Sequence, residues 1–447
     1  MTAWMPGTAP FMAASAAELE GLSLSTVILD LAAIYLTALL GGELARRLGF
    51  PALLGTLLGG LTIGISGLQL VTLPQLGSDA TESVVLRWSA WLHQTSDPAL
   101  LEQVFRFQGA FLQELANVGV LVLLFEVGLG ANLNRVLAQR SQVIAVAGTG
   151  VFLSLLGCSL TLNAFWNVPL LTALFVGAAL TVTSLGVTRQ LLQQNGYLRS
   201  TENQIIVGAA VLDDVTGILL LSLVLGIQQE GTLTSLTILR LIVGTMLGLA
   251  IATFLGRWVS PLLVQLEQAL TTRGRIITPA LMFTLLLVLL ASVAQLSPIL
   301  GAFTAGLVLQ GKIRRLIREV LSPVVDACVP IFFVYIGTIT DLNLLLPWQN
   351  AQAWPRLGLL AFLILAAFAV KFASGYALSR HEGINPALVG WGMVPRGEVG
   401  LVFAELGLRN DLLDPVLFAS LVVLSVVLIL ATSWGLRWVK PLSAKLP

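Results

Sequence analysis

Two adjacent carboxylates lie in the middle of an apolar stretch, "AAVLDDVTGILLL" at residues 209–221. Asp213 and Asp214 have no Lys or Arg beside them in this stretch. A carboxylate at the bilayer centre costs about 2.5–3.5 kcal/mol on insertion scales, so such residues are kept mainly where they function. Neighbouring, partly desolvated carboxylates compete for protons and small hard cations at one place. A cation/proton exchanger requires this competition, and we expect Asp214 and Asp213 to bind both ions.

A buried ammonium is the expected partner of this carboxylate pair. Lys371 lies in the apolar stretch "AAFAVKFASGYAL", too deep to reach the interface easily, and a buried lysine needs a partner or loses its proton. We therefore expect an Asp213–Lys371 ion pair, with a lysine that snorkels to the interface as the alternative. If cation binding at Asp214 breaks this pair and Lys371 releases a proton, two protons exchange for one cation. Such exchange would be electrogenic.

Two segments carry residues that interrupt membrane helices. "TVTSLG" at 181–186 offers the hydroxyl groups of Thr181, Thr183 and Ser184, which would satisfy backbone groups freed by local unwinding. "GMVPRGEVG" at 392–400 contains Pro395 among three glycines. Both segments are predicted to be broken helices, although each glycine could instead serve only close helix packing.

Several other ionisable residues are weaker candidates. Arg396 and Glu398 are expected to pair with each other or with Glu126 of "LLFEVGLG", more as a device that holds helix ends than as ion ligands. The remaining candidates are two carboxylates that could be buried pairs or pathway groups, and two loop histidines of which the second could contribute to a pH response: Asp30, Asp326, His93 and His381.

The two halves of the chain contain weakly similar segments in the same order. "PALLGTLLGGL" from residue 51 resembles "SPILGAFTAGL" from 297, and "VGLGANLN" at 127–134 resembles "IGTITDLN" at 336–343. "VGAALTVTSLG" at 176–186 aligns with "VGWGMVPRGEV" at 389–399. The partners are seven predicted spans apart, which places the copies in opposite orientations. Inverted repeats with paired broken helices are typical of secondary transporters.

The composition is that of an integral membrane protein. Of 447 residues, 56% are hydrophobic and 11% are charged, against about 25% charged in soluble domains. The net charge of +1 argues against nucleic acid as a partner. Cys158 and Cys328 lie in apolar stretches and are interpreted as packing residues, without a disulfide or a metal site.

Apolar stretches of about 20 residues predict membrane-spanning helices. The chain contains thirteen of them, at 24–45, 51–72, 109–130, 141–163, 169–191, 203–228, 233–256, 275–295, 297–311, 323–346, 355–379, 385–407 and 413–436. We expect an exposed N-terminal arm at 1–23, one transmembrane domain at 24–436 and a short cytoplasmic tail at 437–447.

The distribution of basic residues predicts the orientation. Loops after odd-numbered spans, together with the C-terminal tail, carry most of the Lys and Arg residues, so these loops are expected in the cytoplasm and the N-terminus outside. The loop at 73–108 would then be external, and its "LRWSAWLH" segment could form a short helix at headgroup depth. Arg240, like Lys371 and Arg396, falls inside a predicted span.

The quoted motifs, together with "PIFFVYIG", resemble the monovalent cation:proton antiporter-2 family: NapA-like bacterial sodium/proton antiporters, related to the membrane domain of Kef potassium efflux systems. The resemblance spans roughly residues 25–436. It implies a dimer of thirteen-helix chains with interleaved core and dimerisation subdomains. It also implies that Asp214 is the essential cation- and proton-binding residue, that Asp213 and Lys371 pair as in electrogenic members, and that Thr181, Thr183 and Ser184 lie at the first broken helix.

The sequence therefore predicts an all-α, N-out/C-in sodium/proton antiporter with two crossed broken helices. It would exchange cytoplasmic Na⁺ or Li⁺ for external H⁺ and need no cofactor, and no enzymatic nucleophile is evident. A Kef-like potassium/proton antiporter is weaker because this sequence has no regulatory domain after its last span; a sodium-coupled symporter and a channel are two further competing functions. The bacterial inner membrane is the expected location, with an internal energy-coupling membrane such as the thylakoid as the alternative.

Overall fold

The structure is a computed structural model. It describes residues 8–74, 78–131, 139–230, 243, 254, 258–271, 274–294, 296–347, 353–378 and 383–439, with side chains from Glu18 onward. The regular structure in these ranges is helical, and they contain no β-strand. The predicted all-α class is confirmed.

Helices follow one another along the whole described chain. They are α1 Thr8–Arg47, α2 Ala52–Ile63, α3 Val84–Leu92, α4 Pro98–Gly130, α5 Arg140–Trp166, α6 Leu170–Ala179, α7 Leu185–Gln194, α8 Thr201–Glu230, α9 Ile277–Val293, α10 Pro298–Val308, α11 Gly311–Thr338, α12 Ala353–Gly375, α13 Pro386–Met393, α14 Glu398–Arg409 and α15 Pro415–Gly435. Seven helices of the described residues are long and apolar enough to cross a membrane. The chain is therefore an integral membrane protein.

Each predicted span except one overlaps a helix or two short helices in succession. The exception, 233–256, lies outside the described residues apart from positions 243 and 254, and Arg240 lies there too. The segment predicted as an N-terminal arm is helical from Thr8 onward and forms the first part of α1.

Three further predicted boundaries are wrong. α4 begins at Pro98 rather than at 109, and α11 begins at Gly311 rather than at 323. Both added segments carry charged residues, and a hydropathy window detects only the apolar part of a helix that continues into a polar region. α2 ends early, at Ile63, because the chain folds back there and the Val71 amide donates to the Ile63 carbonyl over 3.0 Å.

The described chain divides into two compact units, and α4 and α11 contribute residues to both. Unit 1 comprises Met1–Gly119 and Ala327–Leu342. In it, a Cβ built on Gly55 would lie 1.9 Å from the Gly41 carbonyl oxygen, so α1 and α2 pack backbone to backbone. The predicted short helix of the 73–108 loop is present as α3, with Trp88 and Trp91 exposed. Its location at headgroup depth stays a prediction.

Unit 2 comprises Val120–Asp326 and Asn343–Pro447 and contains all the broken-helix residues. Here α4 and α10 cross at two glycines, since a Cβ on Gly306 would lie 2.2 Å from the Phe125 carbonyl oxygen, and one on Gly128 would lie 2.1 Å from that of Phe303. At the C-terminal end of α4, the Arg318 guanidinium donates to the Leu129 carbonyl over 2.8 Å. A cation there complements the negative end of the helix dipole.

Candidate functional site

Two interrupted helices cross through their breaks in unit 2. One break separates α6 from α7 at residues 180–184, and the other separates α13 from α14 at residues 394–397. The Ser184 amide donates to the Pro395 carbonyl over 3.0 Å, and the Thr183 hydroxyl oxygen lies 3.3 Å from the Met393 carbonyl oxygen. Pro395 has no amide hydrogen and cannot continue a helix, which explains the second break. The paired breaks predicted from the sequence are present.

The hydroxyl groups of the first break are all engaged. Thr181 donates to the Ala178 carbonyl over 2.7 Å, and so satisfies a carbonyl at the end of α6 as expected. The Ser184 hydroxyl accepts from the Val187 amide over 3.3 Å and caps α7. Thr183 donates to Asp213 Oδ2 over 2.7 Å. Whether any of these oxygens also binds the transported cation stays a prediction.

Charged side chains complement the helix ends that meet at the crossing. Arg396 donates to the Leu180 carbonyl over 2.7 Å and to the Val182 carbonyl over 2.6 Å, just after α6. Glu398 accepts from the Ser184 hydroxyl over 2.5 Å and from the Gly186 amide over 3.2 Å, at the start of α7. The Arg396 guanidinium thus lies at the negative end of α6, and the Glu398 carboxylate lies at the positive end of α7.

The expected pairing of Arg396 with Glu398 or Glu126 is wrong. Among the described residues Arg396 forms no ion pair, because the carbonyls freed by the first break lie nearer to its guanidinium group. Glu126 is half-buried on α4 and lies within electrostatic range of Glu398 and Arg318. The break itself, rather than a carboxylate, positions the arginine.

The predicted ion pair between Asp213 and Lys371 is present. Lys371 Nζ lies 2.5 Å from Asp213 Oδ2, and both side chains have an exposed fraction of 0%. The ammonium also donates a short hydrogen bond to the Thr181 carbonyl. Hydrogen bonds therefore link Asp213 and Lys371 to the first broken helix, so a change at this ion pair also changes the contacts of the break.

Asp214 lies next to this pair and differs from it in its contacts. It is 2% exposed, and its Oδ1 atom has no hydrogen-bond partner. The charges within its electrostatic range are those of Glu398, Asp213, Lys371 and Arg396. A buried carboxylate oxygen without a donor must bind a proton, a cation or water, so Asp214 can accept either a proton or a cation.

One residue of the site was missed by the sequence analysis. Gly150, in the α5 helix, has no side chain where α5 passes Lys371, and a Cβ there would lie 3.2 Å from Lys371 Nζ and 3.4 Å from its Cδ. Three residues later α5 widens into a π-helical segment, Leu153–Cys158, of a kind often found at functional sites. A glycine in an apolar helix gives no signal of such a contact, which depends on tertiary packing.

Gly150→Ala should change transport through Lys371. The added methyl group would displace an ammonium held by Asp213 and Thr181, weaken the ion pair and lower the half-saturating sodium concentration roughly threefold. Gly148→Ala is the matched control, because it lies on the same helix with nothing within 4 Å of its Cβ. Sodium titrations of transport in both variants make the comparison. Equal titrations of the two variants would contradict the role of Gly150 in positioning Lys371. So would an effect of Gly150→Ala that persists when Lys371→Gln is also present.

The weaker candidates differ in burial, and one of them lies outside the described residues. Asp326 is exposed on α11, and Asp30 is fully buried on α1 with neither oxygen hydrogen-bonded. His93 is exposed and its Nε2 lies 3.1 Å from the Ser25 hydroxyl. His381 lies outside the described residues. Cys158 is buried and Cys328 is half-buried, and both are free thiols.

Crossed discontinuous helices beside buried, partly unpaired carboxylates define an ion-coupled secondary transporter. The chain belongs to the sodium/hydrogen exchanger family, whose transmembrane family model matches residues 33–439. The resemblance inferred from the sequence motifs is thereby confirmed.

Named relatives support the same family. The chain is 37% identical over 413 residues to the high-affinity Na⁺/H⁺ antiporter NhaS3 of Synechocystis sp., covering 92% of this chain and 89% of that protein. It is 27% identical over 416 residues to the Na⁺/H⁺-K⁺ antiporter GerN of Bacillus cereus, covering 92% and 95% of the two chains. These relatives are transporters rather than enzymes.

The fold is that of a solved antiporter. The chain superimposes on the sodium proton antiporter MjNhaP1 of Methanocaldococcus jannaschii with a TM-score of 0.67 and 16% sequence identity. The match covers 95% of this chain and 99% of that one. At this identity the comparison concerns the fold alone.

Proposed function

We propose that this protein exchanges Na⁺ for H⁺ across its membrane by alternating access, with Asp214 as the carrier site. The observation that carries the proposal is the buried Asp214 Oδ1 atom, which has no donor although it lies next to the crossing of two broken helices. The family and the named activity of NhaS3 support the choice of ions.

The exchange follows from competition at one buried carboxylate. Bound Na⁺ neutralises Asp214, and so does a proton, whereas the bare carboxylate is costly to move through a water-excluded region. Only the loaded forms of the site therefore change sides readily. This coupling prevents either ion from leaking alone, and Thr181, Thr183 and Ser184 offer further oxygen ligands for Na⁺ on the side of the first break.

Charge movement depends on Lys371. When Na⁺ binds at Asp214, it displaces one proton from that carboxyl group. Its positive charge also repels the nearby ammonium and favours release of a second proton from Lys371 as Asp213 turns toward the cation. Two protons then exchange for each Na⁺, and the net charge makes transport responsive to about 2.3 kcal/mol per 100 mV of membrane potential. The 2.5 Å Asp213–Lys371 pair supports this step.

The topology and assembly complete the proposal. The chain crosses the membrane thirteen times with its N-terminus outside and its C-terminus in the cytoplasm, and two copies form a dimer. The core subdomain that carries the crossing moves against a dimerisation subdomain in an elevator-like cycle. The membrane is the bacterial inner membrane or an internal energy-coupling membrane such as the thylakoid, where the protein adjusts pH and salt.

Potassium is the second candidate cargo. The similarity to GerN, which is named a Na⁺/H⁺-K⁺ antiporter, favours it. Li⁺ is a third, because it is also a small hard cation that carboxylate and hydroxyl oxygens bind.

Proteoliposomes containing the purified protein test the proposal. An inward gradient of Na⁺, Li⁺ or K⁺ is imposed in turn, and the internal pH is recorded with the membrane potential either clamped or free. We expect Na⁺ to drive proton efflux, and the clamped and free rates to differ because the exchange moves charge. Equal rates with the membrane potential clamped and free would contradict the electrogenic step. A lack of response to all three cations would contradict the antiporter proposal.

A further inference from the structure

A second group of buried polar side chains lies in unit 1, apart from the crossing. Asp30, Thr72 and Gln108 each have an exposed fraction of 0%. None of their five side-chain polar atoms has a hydrogen-bond partner, namely Asp30 Oδ1 and Oδ2, Thr72 Oγ1, and Gln108 Oε1 and Nε2. Native proteins pair the great majority of buried polar atoms, and an unpaired group indicates a water or an ion at that place.

The backbone brings the three side chains to one closed loop, residues 64–74, which follows α2. α1 and α2 run antiparallel, because Thr37 contacts Gly59 and Gly41 contacts Gly55. Asp30 lies seven residues before Thr37 on α1. Two turns of helix therefore place Asp30 level with the residues just beyond Ile63.

Thr72 and Gln108 reach the same loop from its other end. Val71 returns to Ile63 through its 3.0 Å amide hydrogen bond, so Thr72 lies beside the end of α2. Gln108 precedes Gly109, whose Cβ would lie 2.5 Å from Pro74 Cδ. The backbone thus places a carboxylate residue of α1, a hydroxyl residue of the loop and an amide residue of α4 at this one loop.

The oxygen atoms of this group suit a monovalent cation. An ionised carboxylate buried without a partner is strongly unfavourable, and no Lys or Arg of the described residues forms an ion pair with Asp30. Carboxylate, amide and hydroxyl oxygens are the ligands of hard cations. A single carboxylate balances one positive charge, whereas a divalent cation would leave a buried excess charge.

We propose that Asp30, Gln108 and Thr72 hold a small monovalent cation such as Na⁺, with ordered water, at a site separate from Asp214. This cation fixes the end of α2 and the 64–74 loop to α1 and α4. It is a resident ion of unit 1 rather than transported cargo, because none of its ligands belongs to the broken helices. The inference does not depend on the proposed transport function.

Sodium-dependent thermal stability in an Asp214→Asn background tests the site. A ligand that binds only the folded state raises the unfolding temperature as its concentration increases. We expect Asp214→Asn to retain a rise with NaCl that choline chloride at equal ionic strength does not produce, and Asp214→Asn/Asp30→Asn to lose it. Asp214→Asn/Asp326→Asn is the matched control, because Asp326 is exposed on α11, and it should behave like Asp214→Asn alone.

Thr72→Val in the same background keeps the test valid if the Asp30 variant fails to fold. It removes one neutral ligand and should raise the sodium concentration for half-maximal stabilisation about fivefold. Three results would overturn the proposal: no sodium-specific rise in Asp214→Asn, an unchanged rise with Asp30→Asn, or an unchanged midpoint with Thr72→Val. The first, with a stable Asp30→Asn protein, would indicate a protonated, hydrated Asp30.

Discussion

Asp214→Asn should reduce sodium-driven proton movement to the level of vesicles that lack the protein. The side chain keeps its size, but it can no longer exchange a proton or neutralise a cation. The protein should fold, because Asp214 Oδ1 makes no hydrogen bond that the variant would lose and the buried charge of a carboxylate is removed. Sodium uptake by proteoliposomes measures transport, and the unfolding temperature in detergent measures folding.

Asp326→Asn is the control for this variant, because it makes the same chemical change at an exposed position. It should transport at the wild-type rate. If Asp214→Asn retains more than a small fraction of the wild-type rate while folding normally, another group carries the ions.

Lys371→Ala should be the most destabilising single change at the site. It leaves Asp213 buried and without its cation, and removing one partner of a buried ion pair costs roughly 3–5 kcal/mol. It also opens a cavity beside Gly150 and frees the Thr181 carbonyl from its hydrogen bond. Thermal unfolding of the purified variant measures the loss.

The double variant Asp213→Asn/Lys371→Gln separates charge from packing. Neutralising both partners removes the uncompensated charge, so most of the stability should return. Any sodium/proton exchange that remains should be independent of membrane potential, because no lysine proton is released. A double variant as unstable as Lys371→Ala would show that packing rather than the ion pair dominates.

Charged residues that were isolated in apolar stretches gave the most accurate predictions from the sequence. Asp213 and Lys371 each required a counter-charge, and each had few possible partners within the predicted spans, so their pairing followed from solvation energy alone. The break near Pro395 followed equally from a residue that cannot continue a helix. Physical rules that concern one residue and its immediate medium can be applied without knowing the fold.

Other parts of the site required tertiary structure. Arg396 was assigned a carboxylate partner, whereas it donates to the Leu180 and Val182 carbonyls, which become acceptors only because the neighbouring helix is interrupted. The contact of Gly150 with Lys371 depends on how α5 packs against α12. The early starts of α4 and α11 were missed because polar helical turns resemble loops in hydropathy.

The most direct test of the central claim is the collapse of a preformed pH gradient in everted membrane vesicles. Sodium, lithium and potassium are added separately to vesicles that contain either the wild type or Asp214→Asn. We expect sodium to dissipate the gradient in the wild type and to have no effect in the variant. If the variant matches the wild type, or if no cation moves protons in the wild type, then Asp214 is not the carrier of a cation/proton exchange.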